Sequence, residues 1–118
     1  MKNISHLFTI TFCVISAHLF AQDKQDEIIA IWETREAKVE IYKAEERFIG
    51  NPINSEGKRN QQIELLNLEY ENGKWVGKIY SKRRDRMWDV VCVIKGDKLL
   101  LAVDAGRMSR DLEWTRVN

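Results

Sequence analysis

The strongest constraint on the fold is a series of short runs at strand period, separated by residues that favour tight turns. Asn72-Gly73 separates 63–70 from 74–80. A two-residue type I′ hairpin needs positive φ at both central positions, which Asn and Gly tolerate best. Gly96-Asp97 divides the apolar runs 87–94 and 98–103 in the same way, with Gly at the first turn position. Elsewhere the period is two. Val39 and Ile41 alternate with Lys38 and Glu40, Trp75, Gly77 and Ile79 with Lys74, Val76 and Lys78, and Leu112, Trp114 and Arg116 with Glu113, Thr115 and Val117. That is the pattern of strands buried on one face. Eight strands are expected, at 29–34, 37–43, 46–50, 63–70, 74–80, 87–94, 98–103 and 111–117, with 51–60 as a polar gap. Residues 63–68 are equally compatible with the start of a short helix. So many short antiparallel strands favour a closed barrel or a sandwich, because closure removes exposed strand edges. The expected fold class is all-β, a small up-and-down antiparallel barrel of about eight strands in one domain.

The amino-terminal segment does not fit this pattern. Lys2 precedes 14 residues, 7–20, without a formal charge, and Ala21 then leads into Gln22-Asp23-Lys24-Gln25-Asp26. A positive start, a short apolar stretch and a small-residue exit make a secretory signal peptide. The run is shorter than the roughly 20 residues that span a bilayer. Residues 1–21 are therefore read as a cleavable signal and 22–118 as the working domain, exported to the periplasm or secreted. Cleavage after Ala17 is an alternative. Thr11 and Phe12 before Cys13 do not resemble a lipoprotein processing site, so no lipid anchor is expected.

Removing 21 of the 118 residues leaves 97, and the composition changes with them. Both histidines (His6, His18) and Cys13 lie in the removed segment, so Cys92 becomes the sole cysteine. A chain without His has no Ser-His-Asp or Cys-His catalysis and no imidazole-bound metal. A single Cys forms no internal disulfide. Cys92 lies within Val90-Val91-Cys92-Val93-Ile94 and reads as a buried, inert thiol. Among the acids, Glu45-Glu46 are adjacent and point to opposite faces of a strand. Glu69 and Glu71 flank a turn, and Asp89 lies within an otherwise apolar run. None of these is the facing carboxyl pair across a cleft that glycoside hydrolysis needs. The chain is read as a non-enzyme without cofactor or metal.

Past the signal, 18 acidic residues balance 18 basic ones, but unevenly. Residues 23–71 hold 12 acids and 7 bases, and residues 72–118 hold 6 acids and 11 bases. The overall neutrality gives no reason to expect nucleic acid or a membrane surface. The densest cluster is Lys82-Arg83-Arg84-Asp85-Arg86. It reads either as a solvated turn that opposes edge pairing or as a contact for an anion or an acidic partner, through Lys82, Arg83, Arg84 and Arg86.

Several segments carry a family resemblance. Ile29-Ala30-Ile31-Trp32-Glu33-Thr34, Val39-Glu40-Ile41-Tyr42, Gly73-Lys74-Trp75-Val76-Gly77-Lys78-Ile79-Tyr80 and Trp114-Thr115-Arg116-Val117 resemble motifs of the DUF2147 family of exported bacterial proteins. The similarity spans essentially the whole mature chain. It implies a compact barrel similar to lipocalins, and export, but no activity. The chain departs from the family at the basic 81–88 turn, which lacks Pro and Gly, at Ala30 in place of Gly, and in a shorter 50–62 segment. In lipocalin-like barrels a Trp of the first strand packs under an Arg of the last, so the resemblance assigns Trp32 and Arg116, with Trp114, to closing the barrel. The expected role is binding by a monomer. Either a small apolar or amphipathic ligand enters the barrel at Trp75, Ile79, Trp88 and Leu101, or a packed barrel uses 82–86 against an acidic partner surface.

Overall fold

Asn72 and Gly73 both take positive φ, 50° and 84°, and turn the chain in the I′ manner that their residue types favour. The same logic, repeated, produces a meander. A computed structural model describes residues 24–117; the segment 1–21 expected to be a signal peptide, with both histidines and Cys13, lies outside the described residues. After a 3-10 turn at Asp26–Ile28 the strands are β1 (Ala30–Glu33), β2 (Lys38–Ala44), β3 (Arg47–Ile53), β4 (Leu66–Glu71), β5 (Lys74–Ser81), β6 (Arg86–Lys95), β7 (Lys98–Ala105) and β8 (Met108–Val117). Each pairs antiparallel with the next, and β1 pairs with β8, giving a closed eight-stranded barrel. Among the described residues no helix is long and apolar enough to cross a membrane.

Two expectations are corrected. Residues 63–65 form neither helix nor strand, and β4 starts at Leu66. The polar gap starts later than expected, because β3 runs through Asn51 and Pro52 to Ile53. Pro52 is tolerated because β4 has already ended on that side: the last β3–β4 pair is Gly50↔Leu66. The Pro52 carbonyl faces the same side and accepts from the Asn60 amide at 2.8 Å, so the missing N–H falls where no ladder bond was available. The strands β6, β7 and β8 are also longer than their apolar runs, because the ladders zip to the turns, ending at Lys95↔Lys98 and Ala105↔Met108.

Alternation carries one set of side chains inward. Trp32, Val39, Ile41, Phe48, Leu66, Leu68, Val90, Cys92, Leu99 and Leu101 are all essentially inaccessible and form one core cluster. Burying each large apolar side chain contributes roughly 1.5–3 kcal/mol before the entropy of ordering is counted. Gly77 also faces inward, opposite Leu68 and Val90. A Cβ there would collide with the Asn67 carbonyl and lie 2.9 Å from Leu68 Cα, so the two strands approach at a position only Gly fits. Asn51 is the one buried polar side chain among the described residues, and it faces outward. It accepts from the Tyr42 hydroxyl at 2.5 Å and donates to the Ile63 carbonyl at 2.7 Å. Arg59 stacks on Tyr42 at 3.7 Å and pairs with Glu40. These contacts pin the 54–65 loop against the outside of β2 and β3.

Candidate functional site

The two ends of the barrel differ in kind. At the floor, the 3-10 turn is held by three side chains that donate to carbonyls in and just before it. Trp75 Nε1 donates to Gln25 O at 3.0 Å, Arg116 Nη1 to Glu27 O at 3.1 Å, and Trp32 Nε1 to Ile28 O at 3.0 Å. The Arg116 guanidinium also covers the Trp32 ring at 4.5 Å. Trp32 and Arg116 are register partners across the β1–β8 seam, which places the stack where the barrel closes. Trp114 is buried opposite Leu99 in the core. Tyr70 stacks tilted on Trp75 with 5.1 Å between ring centres. Beside them lies an open depression of about 230 Å³ lined by Lys24, Glu27, Tyr70, Gly73, Trp75, Val93 and Ile94.

At the opposite end the inward positions are open to solvent. Register fixes which residues these are. Ile79 pairs with Trp88 and Ser81 with Arg86, so Arg86 shares the inward face of β6 with Trp88, Val90 and Cys92. On β8, Arg110 pairs with Val103 and Met108 with Ala105, so both continue the inward set of Leu112, Trp114 and Arg116. Arg86, Arg110 and Met108 are nevertheless exposed, Met108 at 73%, and Trp88 is half-buried. Sequence reasoning missed Arg110 and Met108. Extending the period of two backwards from Leu112 would have found them.

The basic turn stands above this mouth. Its one acid, Asp85, accepts from the Tyr80 hydroxyl at 2.8 Å, and that hydrogen bond to a carboxylate pushes the Tyr80 pKa up. Among the described residues, the salt bridges are Arg47–Glu69, Lys58–Glu56, Arg59–Glu40 and Lys78–Asp89. None involves Lys82, Arg83, Arg84, Arg86, Arg107 or Arg110, so six cations at this end lack a carboxylate partner. Asp89 lies on the outer face, exposed, with Lys78 Nζ at 2.5 Å, which accounts for an acid inside an apolar run.

The four residues proposed from sequence to line a ligand chamber separate. Ile79 and Leu101 are packed in the core, Trp75 borders the floor depression, and Trp88 lies at the mouth. A second open depression, about 440 Å³, follows the 52–60 segment and includes Lys58 and Arg59 but none of the four. Cys92 is fully buried, and desolvation pushes its thiol up to about 12, so at neutral pH it is no nucleophile. Among the described residues no group of acids, His and Cys is arranged to hold a metal ion. Comparison with protein families, with curated proteins and with solved structures finds no match for this chain.

Proposed function

We propose that this protein is an exported, non-enzymatic barrel that works by contact. It binds an acidic partner surface through the end that carries Lys82, Arg83, Arg84 and Arg86. The observation that carries this reading is the contrast along the inward face. Mid-barrel it is filled by side chains such as Ile79, Leu101 and Phe48, while at the mouth it presents exposed Arg86 and Arg110 without acidic partners. Cations left free in one place raise the local potential and draw in anions. The motif resemblance to DUF2147 supports the export part of this reading.

Half-buried Trp88 beside Arg86 supports a second reading, in which a small anionic amphiphile lies at the same mouth. The floor depression, about 230 Å³, is smaller than the roughly 300–1,000 Å³ of typical ligand sites. The test is retention of the purified protein on a polyglutamate surface. Retention is expected at low salt and its loss by about 0.5 M salt, where exposed charges are screened. It is also expected to fall in the Lys82→Glu/Arg84→Glu variant. Retention unchanged by salt and by the variant refutes the contact reading, and native mass spectrometry that finds a copurified anionic amphiphile selects the second.

A further inference from the structure

Closing a barrel requires the strand register to stagger. All six hairpins pair up to their turns, with end pairs Glu33↔Lys38, Ala44↔Arg47, Glu71↔Lys74, Ser81↔Arg86, Lys95↔Lys98 and Ala105↔Met108. The stagger therefore collects at the two remaining junctions, β3–β4 and β8–β1. Each leaves a stretch of strand without a neighbour, and the chain treats the two differently.

At β3–β4 the open stretch is 51–53. Pro52 removes a donor there, the Asn60 amide takes the Pro52 carbonyl, and Ile53 forms a bridge with Arg59. The edge is blocked by its own loop, one of the standard protections of a sheet edge. At β8–β1 the pairing stops at Glu33↔Thr115. The chain then turns away, with the Thr34 amide bonded to Ala37 O at 2.9 Å. β8 continues to Met108 with β7 alone.

The direction of its free groups follows from one bond. Arg116 N donates to Asp97 O at 2.7 Å, so even-numbered backbone groups of β8 face β7 and odd-numbered ones face the β1 side. The N–H and C=O of Ser109, Asp111 and Glu113 thus point into the open side. All three residues are exposed, and among the described residues no backbone hydrogen bond reaches them from that side.

We propose that the open edge of β8, residues 109–113, is a strand-addition site for an extended segment of a partner protein, with basic residues at alternate positions against Asp111 and Glu113. Backbone pairing at such an edge supplies affinity, and the alternate side chains supply selectivity. A second copy of the same edge is a poor occupant. Antiparallel self-pairing that brings the open groups face to face sets Asp111 against itself, Asp111 against Glu113, or Arg110 against Arg110, and like charges directly opposite are destabilising. Arg110 faces inward and deters an all-apolar strand. A matching segment therefore reads basic, apolar, basic, acidic, opposite Glu113, Leu112, Asp111 and Arg110. This site shares Arg110 with the basic mouth but uses none of Lys82, Arg83, Arg84 and Arg86, and stands without that contact.

The test uses two short capped peptides, Thr-Lys-Val-Lys-Glu-Val-Thr and its charge-reversed form Thr-Glu-Val-Glu-Lys-Val-Thr, titrated into the purified protein. Three reversed cross-strand pairs should weaken binding of the second by about tenfold or more. Bound to the first, the amides of Ser109, Asp111 and Glu113 should gain protection from hydrogen exchange. Asp111→Pro should abolish binding and leave the barrel folded, because the Asp111 amide makes no ladder bond. If that variant fails to fold, Asp111→Lys/Glu113→Lys should invert the preference between the peptides, because two of the three cross-strand pairs then favour the charge-reversed form. Absence of binding at about 1 mM peptide, equal affinity for both peptides, protection elsewhere, or unaltered binding by folded Asp111→Pro overturns the proposal.

Discussion

Replacing Arg116 by Ala removes two contacts at once from the barrel floor. The guanidinium lies 4.5 Å from the Trp32 ring, and its Nη1 holds the Glu27 carbonyl at 3.1 Å. Trp32 is wholly inaccessible while Arg116 is half-exposed. The stacking term is therefore worth about 1 kcal/mol, between the exposed and the desolvated cases. The hydrogen bond has a charged donor but is partly wet, which brings it to about 1 kcal/mol as well. The sum, about 2 kcal/mol, lowers the melting temperature of a domain of this size by about 8–16 °C. Arg116→Lys keeps a positive charge but loses the planar fork, and should recover only part of the loss. The assay is thermal unfolding followed by circular dichroism. Native-state hydrogen exchange at the Ile29 amide, which bonds Asp26 O at 3.0 Å, reports whether the 3-10 turn is released. A melting temperature for Arg116→Ala within about 2 °C of the parent, with unchanged exchange at Ile29, would refute the reading that this stack closes the barrel.

Gly77→Ala should cost more than about 4 kcal/mol and show as loss of soluble folded protein, since the new methyl meets backbone rather than a movable side chain. Asn51→Ala should destabilise by about 1–3 kcal/mol, because the Ile63 carbonyl and the Tyr42 hydroxyl lose their buried partner, and limited proteolysis should then cut within 54–65. Cys92 should resist thiol reagents until the protein unfolds, as measured by labelling across a denaturant series. Its thiol titrates near 9.0 when unfolded and is pushed up to about 12 by burial. The stabilising contribution of the neutral buried form is thus fully present below about pH 9 and is lost as pH rises towards 12. Cys92→Ala should flatten the stability profile across that window.

The local parts of this fold were legible because short-range chemistry decides them. Asn72-Gly73 and Gly96-Asp97 set two hairpins, and alternation separated inward Trp75 and Ile79 from outward Lys74 and Lys78. The buried, inert Cys92 likewise needed only local context. Closure by Trp32 and Arg116 was expected only from the motif resemblance; in the structure the Arg116 guanidinium lies 4.5 Å from the Trp32 ring at the β1–β8 seam. The extension of β3 through Pro52 was not legible, since a proline is tolerated only once β4 is known to have ended beside it.

The sequence by itself determined strands, turns and which faces are apolar, because these depend on residue type and a spacing of two. Tertiary structure alone decided where the barrel register staggers, and with it everything functional at the edges. Whether Arg110 and Met108 face solvent or core depends on how far β8 outruns β1. Whether a strand edge is blocked, as at Pro52, or open, as at Asp111, depends on which loop crosses it. The open edge rests on pairing between distant residues such as Glu33 with Thr115, and the blocked one on where β4 meets β3 at Gly50↔Leu66 and on the Asn60 amide that takes the Pro52 carbonyl. No local pattern encodes them.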